Sequence, residues 1–165
     1  MTDHGLLAHA NLTVDMVPHL DTLSRMATGC WAIVEFGVRS GVSTWALLNG
    51  LDPDGRMVSV DIIRQDLPDR VTQDPRWTFV QGDDLHVGLP LGRADLVFID
   101  TSHEYDHTLA ELHIAAALEP KWILLHDYEL TAVEDAIAGF LRRDRGYRLA
   151  MIEPSQWGLA GLRRQ

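Results

Sequence analysis

The stretch Val34-Glu35-Phe36-Gly37-Val38-Arg39-Ser40-Gly41-Val42-Ser43-Thr44 places the end of an apolar strand, a glycine-punctuated turn and the start of a helix in immediate succession. Gly37 and Gly41 let the backbone turn tightly and approach a ligand, and free amides at the helix start suit a carboxylate or a phosphate. Physical chemistry alone reads this as a nucleotide or anion site, with a plain tight turn as the competing reading. What separates the two is whether neighbouring strand ends carry matching polar groups.

Working outward, strand-length apolar runs recur at 31–36, 57–60, 77–80, 95–99 and 122–125, mostly rich in Val, Ile, Phe or Trp. Helical patterns lie between them: 43–51, a weaker one over 66–72, and 108–118, where Leu109, Leu112 and Ala116 share a face. After the fifth run, Thr131 and Glu134 have capping-box spacing, and Val133, Ile137, Phe140 and Leu141 repeat helically. Before the first run, Val14, Val17, Leu20 and Leu23 predict another amphipathic helix, with Pro18 in its first turn. The runs 146–153 and 157–163 are separated only by Glu153-Pro154-Ser155-Gln156, too short for a crossover helix, and predict a hairpin. The expected fold is α/β: a doubly wound, Rossmann-like, mostly parallel seven-stranded sheet with a C-terminal antiparallel hairpin strand. Ligands in such sheets bind beyond the carboxyl ends of the strands, where strand order reverses.

A length of 165 residues fits one domain over 1–165, with 1–29 as a helical segment placed to cover the site. No run approaches the roughly 20 apolar residues that span a bilayer, so no membrane partner is expected. Residues 1–9 lack a basic segment followed by an apolar run, which leaves a cytoplasmic location as the expectation. Cys30 is the single cysteine, which excludes an internal disulfide and a thiolate-rich zinc site and reads as a core thiol. With 24 acidic against 14 basic residues the net charge of −10 repels a polyanion, so nucleic acid is not an expected partner. The arginines at 142, 143, 145, 148, 163 and 164 read as a solvated rim.

Acids do stand at the other strand ends. Asp61, 24 residues after Gly37, closes the second strand, where a carboxylate accepts hydrogen bonds from ribose hydroxyls. Gln81-Gly82-Asp83-Asp84 closes the third, where a carboxylate can accept from an adenine amino group, helix capping being the alternative for either acid.

Taken together, Val34-Glu35-Phe36-Gly37-x-x-x-Gly41-x-Ser43-Thr44, Val60-Asp61, Gly82-Asp83 and Phe98-Ile99-Asp100-x-x-His103-x-Tyr105 resemble the successive motifs of class I S-adenosylmethionine-dependent methyltransferases. The likeness is greatest to bacterial metal-dependent O-methyltransferases of the catechol, caffeoyl-CoA and macrolide-sugar type, and covers 31–128. Arg39 departs from it, standing where many members have a third glycine, which weakens a nicotinamide reading more than a methyltransferase one.

The resemblance implies that Glu35, Gly37, Gly41 and Ser43, with Thr44 beside them, surround the methionine part of S-adenosyl-L-methionine. It implies Asp61 at the ribose and Asp83 at the adenine, with Asp84 as the alternative. It also implies a divalent cation such as Mg2+ on Asp100 and Asp127. The asparagine expected after the second acid is replaced in His126-Asp127-Tyr128, so the third ligand is either His126, which favours a transition metal, or water. The competing reading has Asp100 orienting His103 and Asp127 capping the next helix.

His103 takes the position of the family's catalytic lysine, and an imidazole with an unperturbed pKa near 6.5 suits a general base, supported by Asp100. Tyr105 either lines the acceptor pocket or packs on the sheet; His107 and His113 read as solvated or packed. The implied reaction is O-methylation of a hydroxylated small molecule, either cation-assisted or metal-free with His103 as sole base. A nucleotide-binding module, an NAD(P)-dependent oxidoreductase and a non-catalytic donor-binding protein are the alternatives. Acceptor identity is not legible, because selectivity lies in loops that vary freely on one fold. So little chain is left to cover the crevice that the N-terminal helix or a second subunit, in a homodimer, is expected to close it. The scheme requires Glu35, Asp61 and Asp83 to converge on one pocket.

Overall fold

The computed structural model describes residues 15–154 and 157–165, so Val14, Ser155 and Gln156 lie outside the described residues. Strands β1 (Ala32–Phe36), β2 (Arg56–Asp61), β3 (Trp77–Gln81), β4 (Leu96–Ile99) and β5 (Trp122–His126) run parallel in the order β3-β2-β1-β4-β5. β6 (Tyr147–Glu153) and β7 (Leu159–Arg164) complete the seven-stranded sheet, β7 lying between β5 and β6 and antiparallel to both. Strand order therefore reverses between β1 and β4, and the crevice expected of a doubly wound sheet opens above their carboxyl ends.

Side-chain alternation along β1 assigns the two faces. Val34 and Phe36 point into one core with Val97, Ile99, Ile123 and Leu125 of the neighbouring strands. Helices α4 (Tyr105–Ala117) and α5 (Thr131–Arg143) cover that face through Leu112, Ala115, Val133, Ile137 and Phe140. Ile33 points the other way, into a second core with Met57, Leu96, Phe98 and Leu124. There α1 (Leu20–Ala27) and α2 (Val42–Gly50) supply Leu23, Ala27, Ala46 and Leu47. Each fully buried Val, Leu, Ile, Phe or Met among these contributes about 1.5–3 kcal/mol of transfer free energy, and burial on both faces explains why the central strands read as continuous apolar runs.

Three local departures have physical causes. Thr131 is the first residue of α5 and not its cap: Leu130 holds the N-cap position in extended geometry, no side chain caps the helix, and the capping box does not form. The weak 66–72 pattern contracts to α3 (Asp69–Thr72), because Pro68 biases Leu67 away from helical torsions and itself occupies the N-cap. The N-terminal helix begins as a 3-10 turn over Val17–His19, with Pro18 in its first turn, before α1. No described helix is long and apolar enough to cross a membrane.

Candidate active site

The β1–α2 turn is held in left-handed geometry at Gly37 (φ 86°), Arg39 (φ 45°) and Gly41 (φ 73°). Gly37 is required for a second reason. A Cβ there would lie 1.9 Å from the carbonyl oxygen of Asp100, where the ends of β1 and β4 meet. Arg39 thus adopts the torsion that a glycine would take without strain, and its guanidinium pairs with Asp15 at 3.1 Å. Asp61 clamps this turn: Oδ2 accepts the amides of Val38 (2.9 Å) and Arg39 (3.1 Å), and Oδ1 accepts that of Ile63 (2.9 Å).

Glu35 faces away from this turn's open side. It alternates with Phe36 and so points toward α2, completely buried, where its carboxylate accepts hydroxyls of Ser43 (2.7 Å), Thr44 (2.8 Å) and Ser59 (2.6 Å). Trp77 Nε1 donates in turn to Ser59 Oγ at 2.9 Å. Burial pushes the Glu35 carboxyl up to about 7, against the lowering effect of the three hydroxyls. The expected convergence of Glu35 with Asp61 and Asp83 does not occur. Strand alternation sends Glu35, with Ser43 and Thr44, into a buried tie between β1 and the first turn of α2.

Asp61, Asp83, Asp84 and Gly37 do meet. They border a cavity of about 570 Å3 above the carboxyl ends of β1–β4, with Val38, Val60, Ile62 and Ile63 as apolar lining and Asp100, Ser102 and His107 opposite. Ile62 and Ile63 stand 66% and 55% exposed at its edge, an apolar rim of two adjacent side chains. Asp83 is exposed and engaged locally, Oδ2 with His86 Nδ1 at 2.9 Å and Oδ1 with the Leu85 amide; the His86 contact foremost holds its carboxyl below the usual range. Asp84 is buried and lies 3.1 Å from His107 Nε2. Ser43 and Gly37's neighbours Val38 and Arg39 also border a far smaller recess with Met16 and Asp100, so the N-terminal segment reaches the turn at Met16.

A second group adjoins the cavity through Asp100. His103 Nε2 lies 2.7 Å from Asp127 Oδ2, and His126 Nδ1 lies 3.1 Å from that same oxygen and 3.5 Å from Asp100 Oδ1. His103 is 47% exposed on its side chain, whereas His126 is buried. Burial alone would lower the His126 pKa, but the carboxylates of Asp100 and Asp127 outweigh it and push it up to about 10, so its imidazolium balances their charge. Asp127, at φ 57°, keeps its carboxyl below the usual range: burial opposes this, and the two imidazoles prevail. Asp127 therefore orients His103 in place of Asp100, and its side chain does not cap α5. One ligand atom each from Asp100, His103 and Asp127 lie within 4.8 Å of one another, so His103 stands with His126 beside the two acids.

Other polar side chains resolve toward packing. Tyr105 reaches across to Gly139 of α5, where an added Cβ would meet its hydroxyl at 2.7 Å, and does not border the cavity. His113 packs edge-on against Phe140. The Cys30 thiol donates to Met26 O, and burial pushes its pKa up to about 11, which suits a packed thiol. The reading of the sequence missed Glu111, completely buried beneath His107 on α4; burial, with Asp84 and Asp100 nearby, pushes it to about 9 against the Thr101 hydroxyl bonded to it.

Residues 34–128, more than half of the chain, match the family model of a methyltransferase domain. Among solved structures, a Corynebacterium glutamicum protein superposes with a TM-score of 0.77 at 18% identity, covering 99% of this chain and 90% of that one. The O-methyltransferase from Bacillus cereus, solved with S-adenosylhomocysteine (SAH), gives 0.71 at 17% over 98% and 88%. The O-methyltransferase TomG from Streptomyces achromogenes, involved in tomaymycin synthesis and solved with S-adenosylmethionine (SAM), gives 0.70 at 14% over 100% and 91%. At these identities the likeness is one of fold. No curated protein matches the chain in sequence.

Proposed function

The chain belongs to the methyltransferase family, and from that premise we propose that it transfers the methyl group of S-adenosylmethionine to a hydroxyl oxygen of a small organic acceptor. The observation that carries this reading is the position of Asp100, which borders both the 570 Å3 cavity and the recess holding His103 and His126. Donor and base would then stand on either side of one strand end.

The residues present fit the donor. Asp61 and Asp83 offer carboxylate oxygens for ribose hydroxyls and an adenine amino group, Val60, Ile62 and Ile63 offer apolar surface for the ring, and the glycine turn brings backbone close. Bound there, S-adenosylmethionine supplies an electrophilic methyl group. Asp61 keeps the turn in shape through the Val38 and Arg39 amides. Glu35, Ser43 and Thr44 act one layer below, fixing the helix start against β1.

His103 serves as general base. Its Nε2 proton is held by Asp127, which leaves Nδ1 with the lone pair that takes the acceptor's proton. Alignment of acceptor and donor supplies most of the acceleration, and deprotonation the rest. A second reading places a divalent cation on Asp100 and Asp127, favoured by the 4.8 Å grouping with His103; His103 would then be a ligand and not the base.

Calorimetric titration with S-adenosylmethionine, S-adenosylhomocysteine and NAD tests the donor. The first two bind and NAD does not; NAD binding alone would replace this reading with a nicotinamide one. A mass-shift screen of hydroxylated small molecules, with and without chelator, then identifies the acceptor. Activity that survives chelation assigns His103 as base, and activity that requires added cation assigns the metal.

A further inference from the structure

On the cavity wall stands a second set of ligating atoms that methyl transfer does not use. Asp84, in the loop after β3, meets His107 and Glu111 of α4, with one ligand atom from each within 4.8 Å of the others. His107 Nε2 lies 3.1 Å from Asp84 Oδ1 and 3.8 Å from Glu111 Oε1. The spacing of four residues puts His107 and Glu111 on the same face of the helix, so their approach follows from helical geometry.

A separate observation points to a ligand there. Glu111 is completely buried, and although its Oε1 accepts the Thr101 hydroxyl at 2.5 Å, its Oε2 has no hydrogen-bond partner among the described residues. A buried carboxylate oxygen without a donor is destabilising by about 1–3 kcal/mol or more, and a coordinated cation removes that deficit. Two carboxyl groups face one imidazole nitrogen here, and a cation would take the place of the proton that Glu111 otherwise keeps beside Asp84.

We propose that Asp84, His107 and Glu111 bind a first-row divalent transition cation, at a site distinct from Asp100 and Asp127. One nitrogen and two oxygen donors suit Mn2+, Fe2+, Co2+ or Zn2+ better than Mg2+, which prefers an all-oxygen shell. The cation joins α4 to the loop after β3, elements that the sheet alone does not connect. Asp84 and His107 both border the cavity, so the bound ion fixes that wall and leaves coordination positions open to water or to an oxygen inside the cavity.

The site is tested on the full chain, stripped of metal and titrated with Mn2+, free ion being followed by electron paramagnetic resonance. Saturable binding is expected to survive the double variant Asp100→Asn/Asp127→Asn and to weaken by at least about tenfold in Glu111→Gln and in His107→Gln. Bound ion should also raise the melting temperature of the wild-type chain and not of those two variants. Should Glu111→Gln fail to fold, His107→Gln, whose side chain is partly exposed, carries the test, with Co2+ absorption reporting loss of the imidazole ligand. The site is overturned if neither Mn2+ nor Zn2+ binds, if both single variants bind as the wild type does, or if binding disappears only in the Asp100/Asp127 double variant. Donor binding is measured separately by calorimetry, so failure here leaves the methyl-transfer reading untouched.

Discussion

His103 Nε2 and Asp127 Oδ2 stand 2.7 Å apart, one on the loop after β4 and the other at the end of β5, so two neighbouring strands fix the orientation of one half-exposed imidazole. His103→Ala is expected to lower kcat by about 10²–10⁴-fold while the dissociation constant for S-adenosylmethionine changes less than about threefold. Steady-state kinetics beside calorimetry checks this. Equal loss in both quantities would remove His103 from the proton-transfer role.

Glu35 should make the fold sensitive to pH. Its folded pKa of about 7 lies above the ordinary 4.5, so between these values the unfolded chain has lost a proton that the folded chain retains. Stability contributed by the neutral carboxyl is therefore full below about pH 4.5 and declines as pH rises toward 7, by on the order of 3 kcal/mol. Denaturant titrations across that window should show stability falling less steeply with pH in Glu35→Gln than in wild type, by up to about 1.4 kcal/mol per pH unit, the slope that remains coming from Glu111.

Gly37→Ala combines a positive φ with a Cβ 1.9 Å from the Asp100 carbonyl oxygen. The ends of β1 and β4 would have to separate, at a cost of about 2–4 kcal/mol. Thermal unfolding should register a clear drop in melting temperature, together with weaker donor binding. An unchanged melting temperature would mean that the strand ends yield freely.

Asp61 both shapes the turn and borders the cavity. Removing its charge in Asp61→Asn is expected to weaken S-adenosylmethionine binding by about 10–100-fold and to speed hydrogen exchange at the Val38 and Arg39 amides. Binding lost without faster exchange would confine Asp61 to ligand contact.

The sheet was legible because each strand is an apolar run bounded by turn residues, and because the four residues 153–156 cannot hold a crossover. Side-chain direction was harder. Glu35 belongs to the motif turn in sequence, yet the two-residue period of a strand sends it to the α2 side, and only pairing with Ser43, Thr44 and Ser59 makes burial tolerable. Thr131 and Glu134 satisfied a capping rule that helix phase at Leu130 sets aside. His107 and Glu111 carried a readable signal, four residues apart after an acidic strand end, but their partner Asp84 is 23 residues from His107 and the join is purely tertiary. The same holds for His103 and Asp127, which no local pattern pairs.

Because β7 lies between β5 and β6, the hydrogen-bonding edge of β5 stays bare until residues 159–164 emerge and insert. A nascent chain paused before Leu159 would expose the groups of Ile123–Leu125 as a template for pairing with another molecule. Premature termination in this region should yield inclusion bodies rather than a slightly shortened, active protein.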